Sequence, residues 1–338
     1  MSTTELPQLT RKDFASDQEV RWCPGCGDYA ILATVQTVLA DVGARPESTV
    51  FVSGIGCSSR FPYYMNTYGM HTIHGRAPAV ATGLSVTRPD LDVWVVTGDG
   101  DALSIGGNHL LHALRRNVNL TILLFNNEIY GLTKGQYSPT SPLGSVHKST
   151  PMGSIDRPLN PVSLALGAEA TFVARSIDSD RKHLSEVLAA AHAHRGASFV
   201  EIYQNCVVFN DDAFAAVTGK DTKQQNQIRL QQGEPVVFGP DGERAVVADP
   251  DGSMRIAPTA EAGDRIVVHD ATREDPTTAF ALARLAPSPT GPTPIGIFRA
   301  VDAPVYDDMV REQVERAKAA APADLRALLE GGNVWDVG

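Results

Sequence analysis

The sequence predicts an α/β protein built on a doubly wound, mostly parallel sheet, with an appended C-terminal arm. Three observations lead there. Strand-like apolar runs recur about 30–45 residues apart with helical patterns between them, which is the rhythm of βαβ units. Two of the runs, residues 92–97 (DVWVVT) and 119–125 (NLTILLF), are almost continuously apolar or β-branched, as strands buried on both faces are. The residues with chemical potential (Gly54 to Cys57, Gly98 to Gly100, Asn126-Asn127 and Cys206) all follow predicted strands. Sheets of this class bind ligands at the carboxyl ends of their strands.

Each element has its own local reason. Residues 30–39 carry apolar side chains at helical spacing after a Gly-Asp start, and 49–52 is a short β-rich run ending at Gly54. Residues 77–87 are small and helical, 92–97 a strand, 110–116 a helix with a basic end, and 119–125 a strand. A helix over 184–193 and a strand over 197–203 follow. Residues 137–161 are rich in Pro, Ser, Thr and Gly, and a loop that long in a compact domain is usually a lid or a partner-contact segment. Beyond Thr218 the style changes. Residues 235–238, 245–248 and 255–257, punctuated by Asp241-Gly242 and Asp251-Gly252, predict a meander. Residues 265–269 read as one more strand, 307–321 as an amphipathic helix, and 324–330 as a last turn or two before Gly331-Gly332. The expected division is therefore an α/β domain over 1–218 and an extension over 219–338 that packs on it or on a partner subunit.

Composition narrows the function. Of 338 residues 43% are hydrophobic and 20% charged, an ordinary globular balance. Against 39 acidic side chains stand 29 basic ones, for a formal charge of −10. Without a block of cations the chain is a poor partner for nucleic acid. No apolar run approaches the roughly 18–20 residues of a membrane span, and the polar start (MSTTELPQLTRKDF) has no apolar leader. A cytoplasmic protein is expected.

The strongest motif is Gly98-Asp99-Gly100-Asp101 followed by Asn126-Asn127, each after a strand. A diphosphate-bound Mg²⁺ takes about six oxygens, of which the protein supplies only a few. A carboxylate and an amide oxygen at neighbouring strand ends meet that need, and glycines let backbone approach phosphate. The four cysteines, Cys23, Cys26, Cys57 and Cys206, are too few for a disulfide scaffold. Cys23 and Cys26 form a CxxC pair, while Cys57 and Cys206 each follow a strand. The spacing alone leaves open core thiols, a redox pair, a zinc site or an iron–sulfur cluster. His71, His109, His112, His192 and His194 read as surface or helix residues.

The Gly98-Asp99-Gly100 … Asn126-Asn127 pattern resembles the motif shared by thiamine diphosphate enzymes. Trp22-Cys23-Pro24-Gly25-Cys26-Gly27, Gly54-Ile55-Gly56-Cys57-Ser58-Ser59-Arg60, His74-Gly75-Arg76-Ala77 and Tyr130-Gly131-Leu132-Thr133-Lys134-Gly135-Gln136 occur with it in family order. Together they resemble the β subunits of 2-oxoacid:ferredoxin oxidoreductases, most closely the 2-oxoglutarate type. The resemblance covers about residues 20–215 and returns at 294–299 (PIGIFR); none was found over about 233–289.

That resemblance implies a thiamine diphosphate fold and oxidative decarboxylation of 2-oxoglutarate with coenzyme A to succinyl-CoA and CO₂, with electrons passed to ferredoxin. Pyruvate or another 2-oxoacid is the alternative substrate, and a non-redox thiamine lyase or decarboxylase the remote alternative. It implies Mg²⁺ held by Asp99, Asn127 and the Ile129 carbonyl. Gly56, Cys57, Ser58, His74, Gly75, Gly98, Gly100, Asp101, Tyr130, Leu132 and Thr133 would surround the cofactor. Cys23, Cys26, Cys57 and Cys206 would ligate one [4Fe–4S] cluster. Lys134 and Arg60 would act on the substrate, Lys134 meeting the distal carboxylate of 2-oxoglutarate. The carboxylate that activates the aminopyrimidine would lie on an α subunit in an αβ or α₂β₂ assembly, leaving this chain inactive alone.

Overall fold

A computed structural model describes residues 8–285, 290–321, 323–332, 335, 337 and 338. The start of the polar N-terminus, residues 1–7, lies outside the described residues.

Among the described residues, thirteen strands form three sheets. In chain order they are β1 (Thr49–Ser53), β2 (Tyr68–His71), β3 (Asp92–Gly98), β4 (Leu120–Asn126), β5 (Ile129–Tyr130), β6 (Gln136–Tyr137), β7 (Phe172–Ile177), β8 (Ala197–Tyr203), β9 (Gln227–Leu230), β10 (Val237–Phe238), β11 (Arg244–Ala248), β12 (Met254–Pro258) and β13 (Thr293–Ala300). The main sheet runs β2-β1-β3-β4-β8-β7-β13-β9, parallel except where β13 meets β7.

Side-chain alternation explains why this sheet is covered on both faces. Val50, Val52, Val93, Val95, Ile122 and Leu124 face one core, which packs against the Ala77–Thr87, Gly107–Arg115 and Pro161–Gly167 helices. Phe51, Trp94, Val96, Leu123 and Phe125 face the other, beneath the Asp28–Asp41 and Arg181–Ala193 helices. Asp180 caps the latter helix by accepting from His183 N, satisfying one of its free first-turn donors. Among the described residues no helix is long and apolar enough to cross a membrane.

The α/β architecture is the one expected, and the differences are local. The sheet does not end at residue 218, because β9 and β13 complete it. β7 carries Arg175 at its centre and β13 carries Pro294, and both residues disguise buried strands. Arg175 is tolerated because Glu201 on β8 pairs with it at 2.7 Å. Pro294 lacks an N–H for the ladder, but its carbonyl accepts from Arg175 at 3.2 Å. Residues 265–269 are not a strand. A turn over Gly263–Arg265 leads to single bridges, from Ile266 to Val247 and from Val268 to Pro235. The segment lies antiparallel beside residues 233–236, held by isolated bridges and not by a continuous ladder. His192 is half-buried and stacked on Trp94, with ring centroids 5.9 Å apart, and is not a solvent-facing residue.

Candidate functional site

β3 and β4 are adjacent and parallel, so Asp99 and Asn127 emerge side by side from the same sheet edge. A cavity there is lined by Gly56, Cys57, Ser58, His74, Gly98, Asp99, Gly100, Asp101, Asn127, Ile129, Tyr130, Leu132 and Thr133. Asp28, Ile55, Phe125, Gly131 and Gln204 also line it; Ile55 and Gly131 belong to motifs read in the sequence, but none of the five was given a role there.

Asp99 is buried and pushed up to about 6 by desolvation, which the hydroxyls of Ser138 and Thr140 partly offset. Both donate to its Oδ2, at 2.5 and 2.6 Å. They come from the long loop after β6, which thus folds beneath the site. Thr140 Oγ1 also lies 3.0 Å from Asn126 Oδ1, and that oxygen accepts from Glu128 N at 3.1 Å. These bonds fix the Asn127-Glu128-Ile129 turn, in which Glu128 takes a φ of 56°. A non-glycine residue in that region is normally held there by its surroundings.

Asp101 serves its own neighbours. Its Oδ2 accepts from Thr97 at 2.7 Å, and its Oδ1 accepts from Gly75 N at 2.7 Å and lies 2.7 Å from His74 Nδ1. Asp101 therefore fixes the His74-Gly75 corner. Gly75, at φ 72°, packs against Gly106 and does not line the cavity.

A second cavity of about 230 Å³ adjoins the first. Cys23, Cys26, Cys57 and Cys206 all line it, with Arg21, Trp22, Arg60, Lys134 and Phe209. The structure therefore brings together four thiols drawn from three places in the chain. A Cβ at Gly131 would stand 3.6 Å from Cys206 Sγ and 3.7 Å from Cys57 Sγ. Burial raises the Cys57 thiol to about 12, and Asp28, Cys206 and Cys23 add to the rise. Cys26 is raised further, by burial and then Asp28. The Arg60 guanidinium, which lines the same cavity, offsets only a small part of the rise at Cys57. Among the described residues no three His, Cys, Asp or Glu side chains converge as on a single metal ion. A cubane differs from that case, since its four thiolates each bind a separate iron. The donor set and the space fit such a cluster. Trp22 Nε1 donates to the Cys57 carbonyl at 2.8 Å and steadies the loop.

Lys134 and Arg60 line this second cavity and not the first. Lys134 is exposed and takes a φ of 76° in the loop between β5 and β6, beside Gly135 at 92°. Asp28, in the first turn of its helix, is buried with neither carboxylate oxygen hydrogen-bonded. Burial raises it to about 7, and Asp178 adds to the shift.

Comparison with known proteins identifies the family. A profile for the thiamine pyrophosphate enzyme C-terminal TPP-binding domain matches residues 54–202. The 2-oxoglutarate oxidoreductase subunit KorB of Mycobacterium tuberculosis is 61% identical, over 99% of this chain and 90% of its own length. Subunit beta of 2-oxoacid:ferredoxin oxidoreductase 1 from Aeropyrum pernix is 48% identical over 56% of this chain and 60% of its own. The 2-oxoglutarate:ferredoxin oxidoreductase of Magnetococcus marinus, solved with 2-oxoglutarate, coenzyme A and succinyl-CoA bound, superposes with a TM-score of 0.78 at 34% identity. That superposition covers 98% of each chain. The region beyond residue 218, opaque in sequence, is thus shared with whole-length relatives. On fold, paired cavities and whole-length similarity, the chain belongs to the β subunits of the 2-oxoacid:ferredoxin oxidoreductase family.

Proposed function

We propose that this chain is the thiamine- and electron-handling subunit of a 2-oxoglutarate:ferredoxin oxidoreductase. The overall reaction converts 2-oxoglutarate, coenzyme A and two oxidised ferredoxins to succinyl-CoA, CO₂, a proton and two reduced ferredoxins. One observation carries the reading: the two cavities share Cys57, Asn127, Gly131, Leu132 and Gln204 as a common wall. A site for two-electron carbon chemistry and a site for one-electron transfer therefore stand back to back.

Thiamine diphosphate, when bound, supplies an electron sink for the bond between the keto carbon and the leaving carboxylate. The chain's own residues bind and orient it. Asp99, Asn127 and the Ile129 carbonyl are the Mg²⁺ ligands of this reading, a small all-oxygen set typical of Mg²⁺ beside a diphosphate. Ser138 and Thr140 hold Asp99 from beneath, and Tyr130 hydrogen-bonds the Gly100 carbonyl at 2.9 Å. Gly56, Ser58, His74, Gly98, Leu132 and Thr133 enclose the cofactor. The four cysteines hold the [4Fe–4S] cluster, with Arg60 and Lys134 as the cations beside it.

An α subunit completes the site with the carboxylate for the aminopyrimidine, in a cytoplasmic α₂β₂ assembly that reduces ferredoxin. The test is to co-express both subunits, purify them anaerobically and assay viologen reduction against a panel of 2-oxoacids. About four irons and four sulfides per β chain, with 2-oxoglutarate preferred, are expected. One zinc and no acid-labile sulfide would overturn the cluster.

A further inference from the structure

Gln204 directly follows β8 and is buried, with its backbone N–H donating to the Asn126 carbonyl at 2.9 Å. Both ends of its side-chain amide are engaged. Oε1 accepts from Asn127 Nδ2 at 2.9 Å. Nε2 donates to Cys26 Sγ at 3.1 Å and to the Asn205 carbonyl at 2.7 Å. Among the described residues, no other side chain is hydrogen-bonded both to a cysteine of the ring and to the Asn127 side chain.

We infer that Gln204 is a positioning residue that joins the two centres, orienting the Asn127 oxygen toward Mg²⁺ and donating an N–H···S bond to the Cys26 ligand. This rests on the reading above for the metal and cluster sites. An amide has one donor end and one acceptor end. With Asn127 Nδ2 committed to Gln204, only Oδ1 can face a cation; the flipped amide would set an NH₂ group against Mg²⁺. At the other end, an N–H aimed at a cysteine sulfur draws charge from the thiolate and favours the more negative, reduced cluster. Hydrogen bonds to the sulfurs are among the determinants of cluster potential. Outer residues of this kind typically matter about 10–100-fold for metal affinity or activity.

Two substitutions separate the arms. Gln204→Met removes both hydrogen bonds without adding charge. Gln204→Glu keeps an acceptor for Asn127 and removes the donor to Cys26. The assembled enzyme, prepared anaerobically, is followed by EPR-monitored redox titration and by calorimetry with thiamine diphosphate and Mg²⁺. The midpoint should move to more negative potential in both variants. Cofactor affinity should fall about fivefold or more in Gln204→Met, the worth of one hydrogen bond, and stay within about twofold in Gln204→Glu. Gln204→Leu takes the place of Gln204→Met if that variant does not fold. Intact iron and sulfide content with an unmoved midpoint overturns the bond to the cluster ligand. Unchanged cofactor affinity in Gln204→Met overturns the orienting role. Unaltered enzyme holding neither cluster nor cofactor would overturn the underlying reading instead.

Discussion

The Tyr130 ring occupies the space that a side chain at Gly100 would need, and its hydroxyl donates to the Gly100 carbonyl at 2.9 Å. The hairpin of β5 and β6 is thereby pressed onto the short Asp99–Leu103 helix, and Tyr130 and Gly100 both line the first cavity. Gly100→Ala must displace the ring. Overpacking of this kind costs about 1–3 kcal/mol, so thiamine diphosphate affinity should fall about tenfold by calorimetry. Tyr130→Phe, which keeps the ring, should lose far less.

Asp99→Ala leaves the Ser138 and Thr140 hydroxyls without their shared acceptor and the diphosphate charge poorly compensated. Hydrogen bonds to charged groups are worth roughly 1.5–3 kcal/mol, and affinity for thiamine diphosphate with Mg²⁺ should drop at least about tenfold. Wild-type binding would remove Asp99 from the metal site.

Lys134→Ala tests substrate choice. A charge-assisted contact of roughly 1.5–3 kcal/mol corresponds to about 10–150-fold. kcat/KM for 2-oxoglutarate should fall by that order while pyruvate turnover stays level or rises. Equal loss on both substrates would assign Lys134 to the loop or to the cysteine cavity that it lines.

Arg175 and Glu201 pair at 2.7 Å with almost no exposure, and Glu201 also accepts from Asn126 at 2.7 Å. Removing one member of a buried pair strands the other, at about 3–5 kcal/mol. Arg175→Met should lower urea stability by that amount and also weaken cofactor binding, because Asn126 props the Asn127-Glu128-Ile129 turn. A loss of stability without any change in binding would disconnect the pair from the site.

Two histidines set opposite pH slopes. Burial lowers His183, whose Nδ1 lies 2.8 Å from Ser176 Oγ. The unfolded chain, with a histidine pKa near 6.5, then binds the proton first. Its contribution is therefore lost as pH falls below about 6.5. His192 is raised by Asp92, 3.3 Å away, and its contribution is lost as pH rises above about 6.5. In urea titrations at several pH values, His183→Gln should flatten the acid side and His192→Gln the neutral side. Identical slopes in wild type and variants would discount both.

The residues legible in sequence are those whose role depends on standing at a strand end. Gly98, Asp99 and Asn127 follow apolar runs, and the parallel register of β3 and β4 brings them together. Ser138, Thr140, Asp28 and Gln204 had no such marker. Ser138 and Thr140 reach Asp99 from a loop about 40 positions later, and polar loop residues look alike until the loop folds back. Gln204 is one position beyond a strand, but its meaning lies in what touches each end of its amide. β7 is hidden by Arg175, whose charge is met only across the sheet, and β13 by Pro294, which lacks a ladder N–H.

The placement of β13 also dictates the order in which this molecule can be made. β13 pairs with β7, more than a hundred positions earlier, and supplies the Pro294 carbonyl to Arg175. Contacts that distant in sequence form slowly, since a long loop must close before they are rewarded. During synthesis the first four strands and the cysteine-bearing loops emerge well before β13. Until residue 300 has been added, Arg175 has its carboxylate partner but neither the proline carbonyl nor the Phe298 ring against which it rests. A nascent chain therefore carries an open sheet edge beside β7, the kind of surface that captures other strands. Chaperone occupancy of ribosome-bound chains should fall once β13 emerges, and chains truncated before Thr293 should aggregate.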